Sequence, residues 1–402
     1  MEARSPSSAP AATTSTVAPG AAAAPGPAAP TAGELPAPGF VSLGMVVLDE
    51  IRFPDGRVLR DVAGGSGFYS TLGARLAVPQ EDAETMCCLV VAGDDFPASV
   101  VEQIEAWGVT ALVQQVEGRL STRGLLAYED DVFGKKTFRY TTEPLRPSVD
   151  ELPEYLHRAS VIHTLAAPED VKGQAATLFG DGHGQRLAGH PLFAWEPSPL
   201  HCEGAWKDHL DAGHHVNVLS PNDKEVVKMM TPPAEEGPWN RSLVESAAAL
   251  ISDEESCQRD PERRRRWTTV VRCGEYGCLT IPRSSAPVWL PPYHDVGSDK
   301  VVDPTGAGNA FLGAFAVAYK KTDDAVLASA YGAVAASFVI EQTGPPRREV
   351  VDGRELWNGA EFAKRLEAYQ AKARTWDTSA VSCQFRNNSA KAERKELFQW
   401  DP

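Results

Sequence analysis

The sequence predicts an α/β fold, a mostly parallel sheet covered by helices. Three observations carry this. Segments such as residues 40–48 are apolar on both alternating faces, which suits strands buried on both sides of a sheet. Such segments alternate with helical ones in a repeated βα rhythm. Late in the chain, a strand end runs through Gly306-Ala307-Gly308 into a helix of small residues.

Taken in order, residues 1–38 hold 13 Ala and 8 Pro with almost no large apolar side chain. They bury too little area to fold, so a disordered tail is expected. Arg4 is their single basic residue, which does not suit a mitochondrial presequence. A folded domain is expected over 39–374. It opens with one strand at 40–48, and Asp55-Gly56 then reads as a hairpin turn between short strands. A helix follows at 68–76, a strand at 87–92, a helix at 96–107 closed by Gly108, and a strand at 111–115. The alternation within 122–140 reads as antiparallel strands, and further strands are expected at 161–165, 192–195 and 216–219.

Residues 229–267 interrupt the rhythm as a polar insertion. It holds Pro232-Pro233 and ends in arginines 263–266, which Glu254, Glu255, Asp260 and Glu262 offset. The sheet resumes at 270–272. Small apolar residues over 310–342 predict two helices, with Asp323-Asp324 capping the second. A charged amphipathic helix is expected at 355–373. A polar tail follows at 375–402, with a short helix at 390–400.

Composition narrows the function. A chain of 402 residues, 43% hydrophobic and 23% charged, can bury a large core, which excludes fibrous and wholly disordered classes. Lys and Arg total 39 against 54 Asp and Glu, so the formal charge is −15. A broad basic surface for nucleic acid or acidic lipid is not supported. The seven cysteines are odd in number, and Cys273 and Cys278 lack zinc-knuckle spacing. Buried free thiols in a reducing compartment, the cytoplasm, are the expectation. Neither a membrane-spanning run nor a secretion signal is apparent.

The sharpest feature is Val301-Val302-Asp303-Pro304-Thr305-Gly306-Ala307-Gly308-Asn309. Such a turn exposes backbone amides at a helix N-terminus, where unpaired donors and the helix dipole stabilise an anion. The Walker and dinucleotide patterns are both absent. Asn222 and Glu225, three apart, project from one side of a helical turn. They are either a capping pair or hard ligands that organise magnesium. Asp49 falls at a strand end, as a solvated carboxylate or a partner for polyol hydroxyls. Arg123 either meets an anionic substrate or crosses a strand pair.

These residues resemble the ribokinase-like (PfkB) carbohydrate kinases, whose late hallmark is Asp-Thr-x-Gly-Ala-Gly-Asp. The resemblance covers about residues 40–350. It includes Gly44 with Asp49, Gly64-Gly65, the Gly93-Asp94-Asp95-Phe96 turn in part, Asn222 with Glu225, and Gly274 with Gly277. A closer resemblance is to a fungal branch, the maintenance-of-killer ribokinase-like proteins. It rests on Gly64-Gly65-Ser66-Gly67-Phe68-Tyr69, Ser121-Thr122-Arg123-Gly124, Ser220-Pro221-Asn222, the Asn309 form of the turn, and 336–342.

The resemblance implies a ribokinase-like three-layer α/β/α sandwich, with a small β lid built from about 50–60 and 120–140. It implies ATP-dependent phosphoryl transfer to a hydroxyl of a sugar-like or nucleoside-like molecule. Asp303, Gly306, Ala307, Gly308 and Asn309 would form the catalytic turn. Asp49, Gly64, Gly65, Tyr69 and Arg123 would hold substrate. ATP would lie near Arg272, Gly274, Gly277 and Thr305, with Gly332 and Ala333 either bordering the adenine or packing helices. Asn222 and Glu225 would organise Mg2+, and a monovalent cation is a further candidate. Exposed lid edges often pair in this family, so a homodimer is a candidate assembly.

Two residues depart from the family pattern. Asn309 stands where the family has its aspartate base, and an amide takes no proton near neutral pH. Tyr69 replaces an asparagine that helps hold the sugar. Three functions therefore compete: a kinase that relies on positioning and electrostatics, a nucleotide- or metabolite-binding protein without turnover, and an enzyme with a changed substrate such as a nucleoside or sugar phosphate.

Overall fold

The computed structural model describes residues 37–129, 136–180, 191–230, 239–252, 267–283 and 285–376. Most of both expected tails, the arginines at 263–266 and the expected helix at 390–400 lie outside these residues. The chain runs β1 (Phe40–Ser42), β2 (Val47–Arg52), β3 (Val58–Gly64), α1 (Ser66–Leu76), β4 (Met86–Ala92), α2 (Ala98–Glu105) and β5 (Thr110–Gln115). Next come β6 (Arg123–Tyr128), β7 (Lys136–Tyr140), β8 (Val161–Ala166), α3 (Pro168–Phe179), β9 (Leu192–Pro197), α4 (Trp206–Gly213), β10 (Val218–Leu219) and α5 (Asp223–Met230). Then follow α6 (Arg241–Leu250), β11 (Thr268–Arg272), β12 (Cys278–Ile281), β13 (Val288–Leu290), α7 (Ala307–Thr322) and α8 (Ala325–Val339). The last elements are β14 (Arg348–Val351), β15 (Arg354–Trp357) and α9 (Phe362–Thr375).

Among the described residues the central sheet has the order β13-β12-β11-β10-β9-β8-β1-β4-β5. Every pair from β5 to β11 is parallel, and β12 and β13 add antiparallel pairings at one edge. The two-residue period of a strand divides its side chains between two cores. Phe40, Cys88, Val161, Val218 and Val270 face one core, closed by α1, α2, α7, α8 and α9. Val41, Cys87, Ile162, Leu219 and Val271 face the other, closed by α3, α4, α5 and α6. This is the three-layer α/β/α sandwich. β1 lies between β4 and β8, so the strand order reverses there, and open sheets bind ligands beyond such a reversal. A second sheet, β3-β2-β6-β7, is built from the segments expected to form the small lid.

Several expectations need correction. The apolar run 40–48 is two strands in two sheets. Leu43 N still donates to His163 O, but Gly67 N donates to Met45 O, and the chain turns away to meet the start of α1. A Cβ on Gly44 would overlap Ser66 Oγ, so glycine permits this exit. The helix expected at 355–373 starts only at Phe362. Before it, Asp352 and Gly353, both at positive φ, turn β14 into β15. The polar insertion is not wholly superficial, since Val244, Ala247 and Ala248 of α6 enter the second core. The sequence pattern does not announce α3, α4 and α5, nor β12 and β13. Asp324 caps α8, with its Oδ1 accepting from Val326 N and Leu327 N at 2.9 Å, whereas Asp323 closes α7. Cys87, Cys88, Cys202, Cys273 and Cys278 are buried free thiols, while Cys257 and Cys383 fall outside the described residues.

Helices α1 and α7 approach backbone to backbone. A Cβ on Gly73 would overlap the carbonyl of Ala310, and one on Gly313 would overlap that of Ser70. Neither neighbour can yield, because both are helical backbone. Gly313→Val should therefore destabilise the chain by about 3 kcal/mol. A lowered urea midpoint with unchanged slope is the expected result.

Candidate active site

The turn before α7 stands between two groups of side chains. Gly306 is its N-cap residue, with φ of 80°, a left-handed conformation that favours glycine. Ala310 N donates to Gly306 O at 3.0 Å and opens the helical ladder. The amides of Gly308 and Asn309 precede that bond, so they belong to the donor-rich helix end.

On one side lies the group expected to hold substrate. Asp303 is buried; its Oδ1 accepts from Thr305 N and from Tyr128 Oη, both at 2.9 Å. Tyr128 Oη also lies 2.9 Å from Thr305 Oγ1, so β6 of the second sheet is tied to the turn. The ring of Tyr69 covers Gly306, where a Cβ would overlap it. Burial, with Asp303 and Asp49 nearby, pushes the Tyr69 phenol well above its usual range. Asp49, on β2, is buried, with Gly64 of β3 and Gly124 of β6 close against its carboxylate. Gly65 caps α1 just beyond. Arg123 turns elsewhere: its Nε donates to Asp95 at 2.7 Å and its guanidinium pairs with Asp61 at 2.6 Å. Asp95 also accepts from Ser121 N at 2.6 Å, so the Asp94-Asp95 turn anchors the strand that carries Arg123.

On the other side is a buried polar network. Asn309 Nδ2 donates to Glu196 Oε2 at 2.6 Å. Arg272 pairs with Glu196 Oε1 at 2.8 Å, donates to Ser220 O at 2.8 Å, and stands 3.8 Å from Glu225 Oε2. Its guanidinium lies against Gly308, where a Cβ would overlap Nη1. His163 Nε2 is 3.7 Å from Glu196 Oε2. Burial pushes the Glu196 carboxyl up, but Arg272 foremost, with His163 and Asn309, outweighs it and holds the group at about 2. Asn222 and Glu225 close on each other at the start of α5. Glu225 accepts from Asn222 N at 2.8 Å and Nδ2 at 2.7 Å, while Glu225 N donates to Asn222 Oδ1 at 2.7 Å. This is a reciprocal capping box.

Gly274 and Gly277 form the turn after β11, with φ of 51° and 89°. Beside it Trp239 stacks on Tyr276 at 3.8 Å. Gly332 lies against the ring of Phe311 in the α7–α8 contact, and Ala333 is partly buried against the same core. Glu196, Tyr128 and His163 escape the sequence reading. Glu196 carries a signal, a carboxylate near the end of a strand apolar on both faces, whereas Asp49, expected at a strand end, lies within β2. Among the described residues no group of three or more His, Cys, Asp or Glu side chains is placed to hold a metal, and no helix is long and apolar enough to cross a membrane.

Open α/β sheets carry ligand sites where their strand order reverses, and a helix N-terminus favours an anion. The chain belongs to the pfkB family of carbohydrate kinases, whose sequence pattern matches residues 60–347. That membership supports kinase activity on a small molecule. The chain is 29% identical to an uncharacterized protein of Schizosaccharomyces pombe over 358 residues, covering 85% of this chain and 95% of that protein. It is 28% identical to the MAK32 protein of Saccharomyces cerevisiae over 350 residues, covering 83% and 92%. Its fold is similar to that of adenosine kinase from Anopheles gambiae, with a TM-score of 0.56 and 16% identity over 77% of this chain and 98% of that one. For ribokinase from Cryptococcus neoformans the TM-score is 0.54, with 19% identity over 76% and 95%.

Glu225 generates a pH dependence. Burial first, then the charge of Glu196, push its carboxyl up to about 7 against the pull of Arg272. Between its ordinary value and that one, the folded chain keeps a proton that the unfolded chain releases. Stability should therefore fall as pH rises from about 4.5 to about 7. Urea midpoints across this window should slope downward in the wild type and flatten in Glu225→Gln.

Proposed function

We propose that the chain transfers the γ-phosphoryl group of ATP to a hydroxyl of a polyol, with Asp49 gripping the acceptor's hydroxyls. One observation carries this reading. The Gly306–Asn309 turn stands between the buried carboxylates Asp49 and Asp303 and the largely buried cation Arg272, so an anion at the turn would lie between them. The amides of Gly308 and Asn309, with the dipole of α7, would hold the transferring phosphate. Asp303 and Thr305, tied to Tyr128, would keep the turn in place beneath the second sheet. Tyr69 would narrow the acceptor pocket and offer its ring face to a sugar or base.

The reaction is written without a side-chain base at 309. The hydroxyl oxygen forms a bond to phosphorus as the bond to the ADP oxygen breaks. The hydroxyl proton leaves late, to an oxygen of the transferred phosphoryl group, as a loose transition state permits. Magnesium supplies charge neutralisation between the phosphates when bound. Asn222 and Glu225 fit it through water: their oxygens already accept hydrogen bonds within the capping box, and Glu225 is buried. The two fungal relatives support placing the chain in their branch, and the buried free thiols support a reducing compartment such as the cytoplasm.

Asn309 favours a second reading, a nucleotide-binding protein that does not turn over. The two separate in one assay. The purified chain is given magnesium-ATP and a panel of sugars and nucleosides, with ADP release and product mass followed. A phosphorylated product supports the kinase. Nucleotide binding by calorimetry, without product from any acceptor, supports the binder. Gly308→Val drives a side chain into Arg272 and the phosphate cradle, and should weaken ATP about tenfold or more. Unchanged affinity would remove the turn from the nucleotide site.

A further inference from the structure

Asn309 is not free to present either end of its amide. Its Nδ2 lies 2.6 Å from Glu196 Oε2, and an ionised carboxylate accepts hydrogen bonds but donates none. Glu196 is buried at the end of β9 and is itself held by Arg272 at 2.8 Å. We infer that Glu196 is a positioning residue: it fixes the Asn309 amide with nitrogen inward, so that Oδ1, the acceptor end, serves the attacking hydroxyl. This rests on the proposed function for the hydroxyl. The coupling of the two side chains stands on geometry alone.

A consequence follows for charge. A carboxylate at 309 would face the Glu196 carboxylate across a single hydrogen bond. Two such groups hold one proton between them, and their joint titration moves upward. The groups facing this pair are His163 from β8 at 3.7 Å, Arg272 from β11, and Glu225 from α5 beyond Arg272. Arg272 is already shared between Glu196 and Glu225, so it cannot neutralise a third carboxylate. Asn309→Asp alone would therefore not supply a base at neutral pH. Asn309→Asp with Glu196→Gln would, because the amide introduced at position 196 can donate to the carboxylate introduced at position 309.

The test uses the full chain and four forms: wild type, N309D, E196Q and the double variant. The first readout needs no substrate. The raised titration in N309D makes its stability present at low pH and lost as pH rises. Its melting midpoint should thus fall by about 3 °C or more, relative to wild type, between about pH 5 and about pH 8. The double variant should lose that extra slope. In ¹⁵N–¹H spectra the Asn309 side-chain amide, identified by its absence in N309D, should shift in E196Q. If E196Q does not fold, N309D alone carries the pH test. A parallel pH profile in N309D and wild type would overturn the coupling.

The second readout is ADP release with whichever acceptor the panel yields. E196Q should lower kcat about tenfold or more with KM little changed, and the double variant should recover it. Unchanged kcat in E196Q would overturn the positioning role. Absence of turnover in all four forms, with the pH coupling intact, would overturn the kinase reading and with it any service of Asn309 to a hydroxyl.

Discussion

Helices α1 and α7 touch through backbone at Gly73 and Gly313, and the groups around Gly306 take their positions from that contact. Because α1 carries Tyr69 near its start, the close approach lays the Tyr69 ring over Gly306. Because α7 starts at Ala307, its first turn comes up beneath the end of β9, where Glu196 meets Asn309. A separation larger by a methyl group would loosen both contacts at once. The small-residue character of α1 and α7 thus reads as a positional requirement as much as a packing preference.

Much of the fold was legible because a parallel sheet writes itself as short runs apolar on both faces. The errors fall where that rule has no purchase. In residues 40–48 the apolar pattern continues unbroken, yet β1 ends at Ser42, because the second sheet and the helices also require apolar residues. Gly44 was the only local mark of the exit. β14 and β15 were hidden within charged sequence, since among their residues only Trp357 is buried. Their signal was Asp352-Gly353, a turn dipeptide of the kind read correctly at Asp55-Gly56.

The site was legible in part. The turn residues, Asp49, Tyr69, Arg272, Asn222 and Glu225 come together from different elements: Asp49 lies within β2, Tyr69 near the start of α1, Arg272 at the end of β11, and Asn222 with Glu225 at the start of α5. Glu196 and Tyr128 reach the site from strands whose sequence, apart from the carboxylate near the end of β9, marks neither residue for the site. What placed them is register: β9 beside β8 and β10, and β6 beside β2. One sequence without its sheet order does not contain that information. Arg123 shows the converse, a residue at a suggestive position whose side chain is already committed to Asp61 and Asp95.

Arg272 poses the remaining physical question, because it holds a cation against the positive end of a helix. The helix dipole disfavours this by up to about 2 kcal/mol. A carboxylate near 4 Å returns about 4 kcal/mol at an effective dielectric near 20. Glu196 is closer than that, so its attraction outweighs the dipole. The two charges still give up solvation on burial, which the Ser220 carbonyl and the Asn309 amide partly replace. On this side of the turn the field therefore combines a helix end, one guanidinium and the Glu196 carboxylate, with Glu225 changing charge near neutrality, while Asp303 and Asp49 act from the other side. A phosphate at the Gly308 amide, as proposed, would compete with Glu196 for Arg272. Were that ion pair to loosen, Glu196 would keep its hydrogen bond from Asn309 and leave the amide oriented.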